Sequence, residues 1–427
     1  MRTRSGPALA ALATGTFAIG MTEFVITGLL PDIAADFAVS IPTAGLLISG
    51  YAISVLIGGP VVTALVARRP RKPVLVVLLA FFVAGNVICA LAPAYGIMLA
   101  GRIVAALCHG SFIGFATIVA GDLVRPERRS SAIAAMLSGL TIANVAGVPL
   151  GTVLGQQLGW RATFWAMALL GLGAALATAL LVPSAAGTET AAGKARAAGK
   201  ARAAGAATTA GKATTAGAAT TATTAPVRAQ LFAFRKPELW LALAMTALAF
   251  GAVYAPFTYI APLMTDIAGF GKDALPYLLA LFGLGLVLGN VLGARGADHR
   301  LMGTIVTASI AMLIVLIAFG WTSHAKAPAT ITLFLLGVAA YATVPGLTTR
   351  VLTAAGDDGQ NLLASSAAVS AFNLGNAAGA YLGGRAITAG WGYDATPLVG
   401  AAMEAAAIGV ALILLTRTRR ESALSLP

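Results

Sequence analysis

Residues 138–160 read SGLTIANVAGVPLGTVLGQQLGW. Gly147, Gly151 and Gly155 fall four apart, so they share one face of a helix. A glycine face lets a second helix backbone come close, and in lipid such packing replaces the burial that drives association in water. Pro149 sits between two of those glycines in sequence and removes a backbone donor, which predicts a bend there. The pattern returns at 370–391 as SAFNLGNAAGAYLGGRAITAGW. Ser138, Asn144, Gly147 and Gly151 match Ser370, Asn376, Gly379 and Gly383 at an offset of 232, and Trp160 matches Trp391 at 231. Gly20 and Pro31 likewise match Gly251 and Pro262 at 231. A repeat this long predicts a duplicated half rather than a short solenoid unit.

Composition places the halves in a bilayer. The 427 residues are 58% hydrophobic and 10% charged, with a mean hydropathy of +0.88. Soluble domains carry about 25% charge. Twelve apolar runs have spanning length, at 8–30, 43–66, 73–92, 97–120, 131–154, 162–182, 239–262, 275–296, 302–321, 328–349, 363–386 and 395–416, with edges good to about 4 residues. The first run is long enough to span and is read as retained rather than cleaved. The fold class expected is all-α integral membrane, with twelve transmembrane helices in two parallel six-helix repeats. Residues 1–182 and 239–427 form the two bundles, and the Ala-, Gly- and Thr-rich stretch 183–238 is read as a flexible cytoplasmic linker.

The net charge of +13 does not point to nucleic acid. With the N-terminus inside, all of the 28 basic residues except Arg102, Arg161, Lys272, Lys326 and Arg385 fall on the cytoplasmic side. Those loops face anionic headgroups. Both termini are therefore expected in the cytoplasm of a cell-membrane (plasma or inner membrane) protein. Cys89 and Cys108 lie in apolar runs and imply no disulfide framework.

Charges inside the apolar runs need a reason. Glu23 in run 1 and Arg102 in run 4 fall at a similar depth. Two readings follow: an ion pair that fixes two helices, or a proton site whose affinity Arg102 tunes. His109 lies seven residues beyond Arg102 on the same face and titrates near neutrality in its ordinary state. The candidate proton-coupling set is Glu23, Arg102 and His109. Asn144, Asn373 and Asn376, with Tyr254 and Tyr259, are candidates for substrate binding or for helix bridging. Glu404 in run 12 is a second intramembrane acid with no basic residue at matching depth. Small residues four apart also mark runs 2 (Gly50, Ser54, Gly58), 8 (Gly285, Gly289, Gly293) and 11 (Gly375, Gly379, Gly383). They are expected to form seams about which the two bundles rock. No zinc-type cysteine spacing or phosphate loop is present in the sequence, so neither metal nor cofactor nor enzymatic activity is expected.

These residues resemble the major facilitator superfamily, in particular its twelve-helix drug:proton antiporters, the arabinose-efflux-permease group and bacterial chloramphenicol exporters. Gly20-Met-Thr-Glu-Phe24 with Pro31-Asp32-Ile33-Ala34 resembles the family's first-helix motif. The run Leu99 to Gly110, holding Arg102, resembles the fourth-helix motif whose arginine serves proton coupling. Gly147-Val-Pro149-Leu-Gly151 resembles the antiporter motif, and Gly159-Trp160-Arg161-Ala-Thr-Phe164 the run after it. In the loop after run 2, Arg71 and Lys72 fit, but Thr63 and Ala67 stand where the family has Gly and Asp. The gating charges are therefore expected to rest on Arg295 and Asp298 of the second half. The resemblance implies a monomer that exchanges a small amphipathic molecule for protons across the lipid bilayer. Sugar or metabolite efflux by the same fold, and a membrane sensor that transports nothing, are the alternatives. A fluorescent reporter inserted within 183–238 should fluoresce and a phosphatase reporter there should stay inactive; the reverse pattern would overturn this topology.

Overall fold

A computed structural model describes residues 5–66, 69–125, 128–184, 233–356 and 362–424, and these are helical almost throughout, with no strand among them. Helix is what apolar runs must form in lipid, because the backbone has no water to bond. The first half contains α1 (Ser5–Asp36), α2 (Ile41–Val66) and α3 (Arg71–Leu91). Next comes α4, which runs Tyr95–Leu107 and resumes after Cys108 as His109–Asp122. The α5 segment is Arg129–Ile142, a π-turn at Ala143–Gly147, then Val148–Leu158. Pro149 follows that turn directly, so the expected bend takes the form of a widened coil, with the Val148 N–H reaching back to the Ala143 carbonyl. The half ends with α6 (Trp160–Leu181).

The second half begins earlier than expected. Ala233–Arg235 form a 3₁₀ turn, and α7 covers Pro237–Phe257 before a short Ile260–Pro262 helix and a π-turn at Leu263–Ile267. Trp240 Nε1 donates to the Phe234 carbonyl at 2.8 Å, which ties down the last residues assigned to the linker. Its residues 185–232 lie outside the described residues. Leu275–Thr322 is a single helical stretch of 48 residues. At 1.5 Å per residue it is about 72 Å long, more than twice a bilayer core. It bends at Arg300, whose φ of −148° and ψ of 83° are non-helical, so it makes two crossings: α8 (275–299) and α9 (301–322). Then come α10 (Lys326–Ala355), α11 (Leu362–Thr388) and α12 (Thr396–Leu424). Ten helices among the described residues are long and apolar enough to cross a membrane, the double-length one included. The 27-residue α11 has the length but also carries Ser365, Ser370, Asn373 and Asn376.

Helix directions alternate, so side chains sort to two ends. One end carries Arg69, Arg71, Lys72, Arg125, Arg129, Arg295, Arg350 and Arg417; we call it the basic end. At the far end Arg161 pairs with Asp36 at 2.7 Å and stacks on Trp160, and Lys272 pairs with Asp32 at 3.0 Å.

The glycine faces do not lie where the expected rocking seams would put them. A Cβ at Gly151 would meet Met21 and Val25, and one at Gly155 would meet Leu29, so α5 packs on α1 of its own half. Gly375, Gly379 and Gly383 press on the carbonyls of Ala247, Gly251 and Ala255 in α7. In the same way Gly285, Gly289 and Gly293 meet Phe334, Val338 and Ala342 of α10, while Gly50 and Gly58 meet Leu99 and Leu107 of α4. Each seam therefore binds helices within a half, and the same numbered helices pair in both: α1 with α5 and α2 with α4, α7 with α11 and α8 with α10. In the second half the contact is backbone on backbone and leaves no side chain to yield, which suits a permanent joint; in the first half these glycines meet side chains of the neighbouring helix.

The halves meet through other residues, along α2 with α11 and α5 with α8. Ser49 Oγ donates to the Ala377 carbonyl at 3.1 Å, and Gly45 packs against the ring of Tyr259, whose hydroxyl donates to the Ala380 carbonyl of its own half at 2.8 Å. Lys272 of the second half holds Asp32 of the first, and Gln156 Nε2 donates to the Lys272 carbonyl at 2.8 Å. These contacts, and that of Asn376 with Glu23, lie from the level of Glu23 to the far end. Gly379→Ala should cost about 1–3 kcal/mol, because overpacking against a backbone outweighs the roughly 1 kcal/mol that alanine gains over glycine in a helix. Gly173→Ala, with open space at its Cβ, should be neutral or stabilising. Thermal melts of the two variants in detergent check the contrast.

Candidate functional site

The ionisable residues of the first half converge beside its boundary with the second. Glu23 sits mid-way along α1 with its side chain 14% exposed. Its Oε2 lies 3.9 Å from His109 Nε2 of α4, and its Oε1 lies 3.5 Å from Asn376 Nδ2 of α11. His109 Nδ1 is 3.0 Å from the Tyr51 hydroxyl of α2. The Tyr51 ring in turn lies under the Arg102 guanidinium, 4.1 Å from its centroid. Arg102 is 1% exposed, and its Nη1 donates to the Thr22 carbonyl at 2.6 Å.

Glu23 and Arg102 thus share a level, as expected, but they form no ion pair. The order of contact is Arg102, Tyr51, His109, Glu23. A buried guanidinium needs compensation, and here the ring face and a charge-assisted bond to a carbonyl supply part of it. Arg102 Nε and Nη2 find no hydrogen-bond partner among the described residues. Thr22 is itself fixed: its Oγ1 lies 3.0 Å from Asn86 Oδ1 and 2.8 Å from Met167 Sδ. Asn86 Nδ2 donates to the Phe82 carbonyl at 2.9 Å. Sequence reasoning missed Tyr51, Thr22 and Asn86. Only the need of Arg102 for partners signals them.

The second half answers with aromatic rings and amides. Phe24 of α1 lies 6.2 Å from both Tyr254 and Phe257. Phe250 packs on Tyr254 at 5.2 Å and on Phe372 at 4.8 Å, and Phe257 stacks on Phe282 at 4.3 Å. Asn373 Nδ2 donates to the Val369 carbonyl of its own helix at 3.0 Å. Tyr254 OH, Asn373 Oδ1 and Asn376 Oδ1 are buried and lack partners among the described residues. Orphaned polar atoms beside an aromatic wall are what an amphipathic ligand would satisfy.

Other candidates fall elsewhere. Tyr259 is buried in the far-end seam, with its hydroxyl bonded to Ala380 and its ring against Gly45 and Gly384. This removes it from the cluster around Glu23, because its polar atom is already bonded to α11 of its own half. Asn144 is half-buried in the π-turn of α5, and its carbonyl packs on Gly283 of α8. Gly147, Pro149 and Gly151 belong to the α1–α5 joint. Arg71 pairs with Asp122 at 2.5 Å, so the carboxylate missing at Ala67 is supplied by the end of α4. Lys72 forms no ion pair among the described residues. Nor do Arg295 and Asp298, which are exposed at the α8–α9 bend, so no second-half charge network joins them among the described residues. Glu404 is fully buried beside Ser309 of α9, apart from Glu23. No cluster able to hold a metal ion occurs among the described residues.

The sequence profile of the Major Facilitator Superfamily matches residues 12–363. The inner membrane transport protein YdhP of Escherichia coli (strain K12) is 36% identical over 414 residues, covering 97% of this chain and 96% of that protein. The chloramphenicol resistance protein of Streptomyces lividans is 36% identical over 373 residues, covering 86% of each. The putative transporter AraJ of E. coli (strain K12) is 33% identical over 418 residues, covering 97% of this chain and 96% of that protein. A bacterial homologue of the human lysosomal transporter Spinster, solved inward-facing and unoccupied, superposes with a TM-score of 0.70 at 17% identity, over 97% of this chain and 96% of that one. Two like-ordered six-helix halves, a polar cluster between them and this kinship agree: the chain belongs to the major facilitator superfamily.

Proposed function

We propose that this multi-pass membrane protein is a proton-coupled exporter of small amphipathic compounds. The observation that carries the reading is the position of Glu23, between His109 of its own half and Asn376 of the other. A carboxyl there is charged or neutral according to its proton, and a charge between the halves alters what they gain by meeting. The unprotonated acid draws on Asn376 and His109; the protonated acid becomes a donor and frees the Asn376 amide for cargo. Proton and cargo then compete for one set of groups, which is what exchange requires. His109, 3.9 Å away, is within reach through one water or a small rotation and hands the proton on. Arg102 keeps the local field positive while it stays fixed to Thr22 and Tyr51.

The cargo would lie on the Phe250, Tyr254 and Phe257 rings and donate to the free oxygens of Asn373 and Asn376. Kinship with the S. lividans chloramphenicol resistance protein supports antibiotic efflux as its use. The bodies 1–182 and 239–427 move as units, each held by its glycine joints, in a monomer. The positive bias of the basic end supports a cytoplasmic assignment for it and for both termini. The far-end contacts of Ser49, Gln156 and Lys272 support reading that end as the closed one. The cycle uses no cofactor and no enzymatic step; the proton gradient drives it.

In proteoliposomes carrying a pH-sensitive dye, the wild type should couple chloramphenicol efflux to proton entry. Glu23→Gln should insert normally and lose at least tenfold of the coupled flux; unchanged pH-dependent flux in that variant would refute the assignment. Ligand binding without accumulation in the wild type would point to a sensor instead. Arg102→Lys cannot both stack on Tyr51 and bond Thr22, so it should melt lower by about 1–3 kcal/mol, as a thermal scan in detergent will show.

A further inference from the structure

A cavity at the far end lies outside the site above. It is a groove of about 540 Å³ between α11 and α12, lined by apolar Leu382, Ala386, Leu398, Val399 and Ala402, with Arg385 and Trp391 at its mouth. That volume is in the range of pockets that take a small ligand. Ala402 lies six residues into α12, so the groove reaches about 9 Å down from the membrane surface. Leu382, Leu398 and Trp391 are exposed, the last at 67%, so the groove opens sideways to lipid rather than to the centre. Tryptophan at a helix end marks the headgroup level.

The charge at the mouth selects the occupant. Four basic residues lie at the far end. Arg161 is taken by Asp36, Lys272 by Asp32, and Lys326 sits over the Phe270 ring. Arg385 forms no ion pair or ring contact among the described residues. Its acidic neighbour in sequence, Asp394, turns instead to His324 at 3.6 Å. A free guanidinium at headgroup depth, above an apolar slot directed into the hydrocarbon, matches a phosphate ester with an acyl chain beneath it. We propose that this groove is a binding site for one phospholipid, its phosphate on Arg385 and one acyl chain along Leu398 and Ala402. The site is independent of the proton cycle and stands whether or not Glu23 carries protons.

Native mass spectrometry of the full chain in mild detergent tests it, with phosphatidylglycerol as the probe and diacylglycerol of the same chains as the phosphate-free control. The wild type should keep one phosphatidylglycerol at least tenfold better than diacylglycerol. Arg385→Gln should bring the two within about twofold. Ala402→Phe, which fills the slot from an exposed position, should lose both lipids with Arg385 intact. Lys326→Gln should behave as wild type. Equal retention by the wild type and Arg385→Gln overturns the proposal, as does unchanged retention by Ala402→Phe. Displacement of the lipid by inorganic phosphate alone would overturn it too, since the anion would then be the ligand. Retention of detergent in place of lipid counts against it in the same way.

Discussion

Helices surrounded by hydrocarbon gain nothing from hiding apolar surface, so they need another reason to stay together. Here the reason is direct approach of backbones. The α11 glycines rest on α7 carbonyls, and the α8 glycines rest on α10 carbonyls. Nothing in such a contact can rotate away. These joints of the second half are made of peptide groups, whereas contacts between halves include the side chains of Ser49, Gln156 and Lys272 as well as the Asn144 carbonyl packed on Gly283. Glu23 and His109 lie beside that boundary.

The central cluster shows how one positive charge is tolerated without a direct counter-ion. Pairing Arg102 with Glu23 would satisfy both and leave the acid with little reason to change state. Interposing Tyr51 and His109 keeps the two charges in each other's field but out of contact. The cost is borne locally by a ring face and by the Thr22 carbonyl, which Asn86 and Met167 hold in place. The orphaned donors of Arg102 and acceptors of Asn373 and Asn376 fit a site whose polar groups are complete only when something is bound.

Much of this was legible in the residues. Length and hydropathy give the twelve crossings, and the offset between Gly147 and Gly379 gives the two halves. What a glycine period cannot give is the partner. It names a face, not the helix that fills it, and so the seams were expected between halves when they lie within them. Depth along a helix placed Glu23 beside Arg102 correctly. It could not show Tyr51 between them, because α2 reaches the cluster through folding and not through sequence spacing. Asp122 as the partner of Arg71 was hidden for the same reason, 51 residues away. Tyr259 looked like Tyr254 in sequence, yet five residues of helix separate a far-end latch from the aromatic wall.

The repeat that relates Gly20 to Gly251 also sets Glu23 opposite Tyr254. Duplication began with equivalent positions, and the chain now carries an acid at one and a neutral phenol at the other. In the exchange proposed above, a single acid facing the boundary would make the trade electrically unbalanced. One proton traded for an uncharged molecule would carry one net charge across per turn. Each 100 mV of membrane voltage then adds about 2.3 kcal/mol to the drive. Loss of symmetry between two old twins is thus what would let voltage, as well as acidity, power the pump.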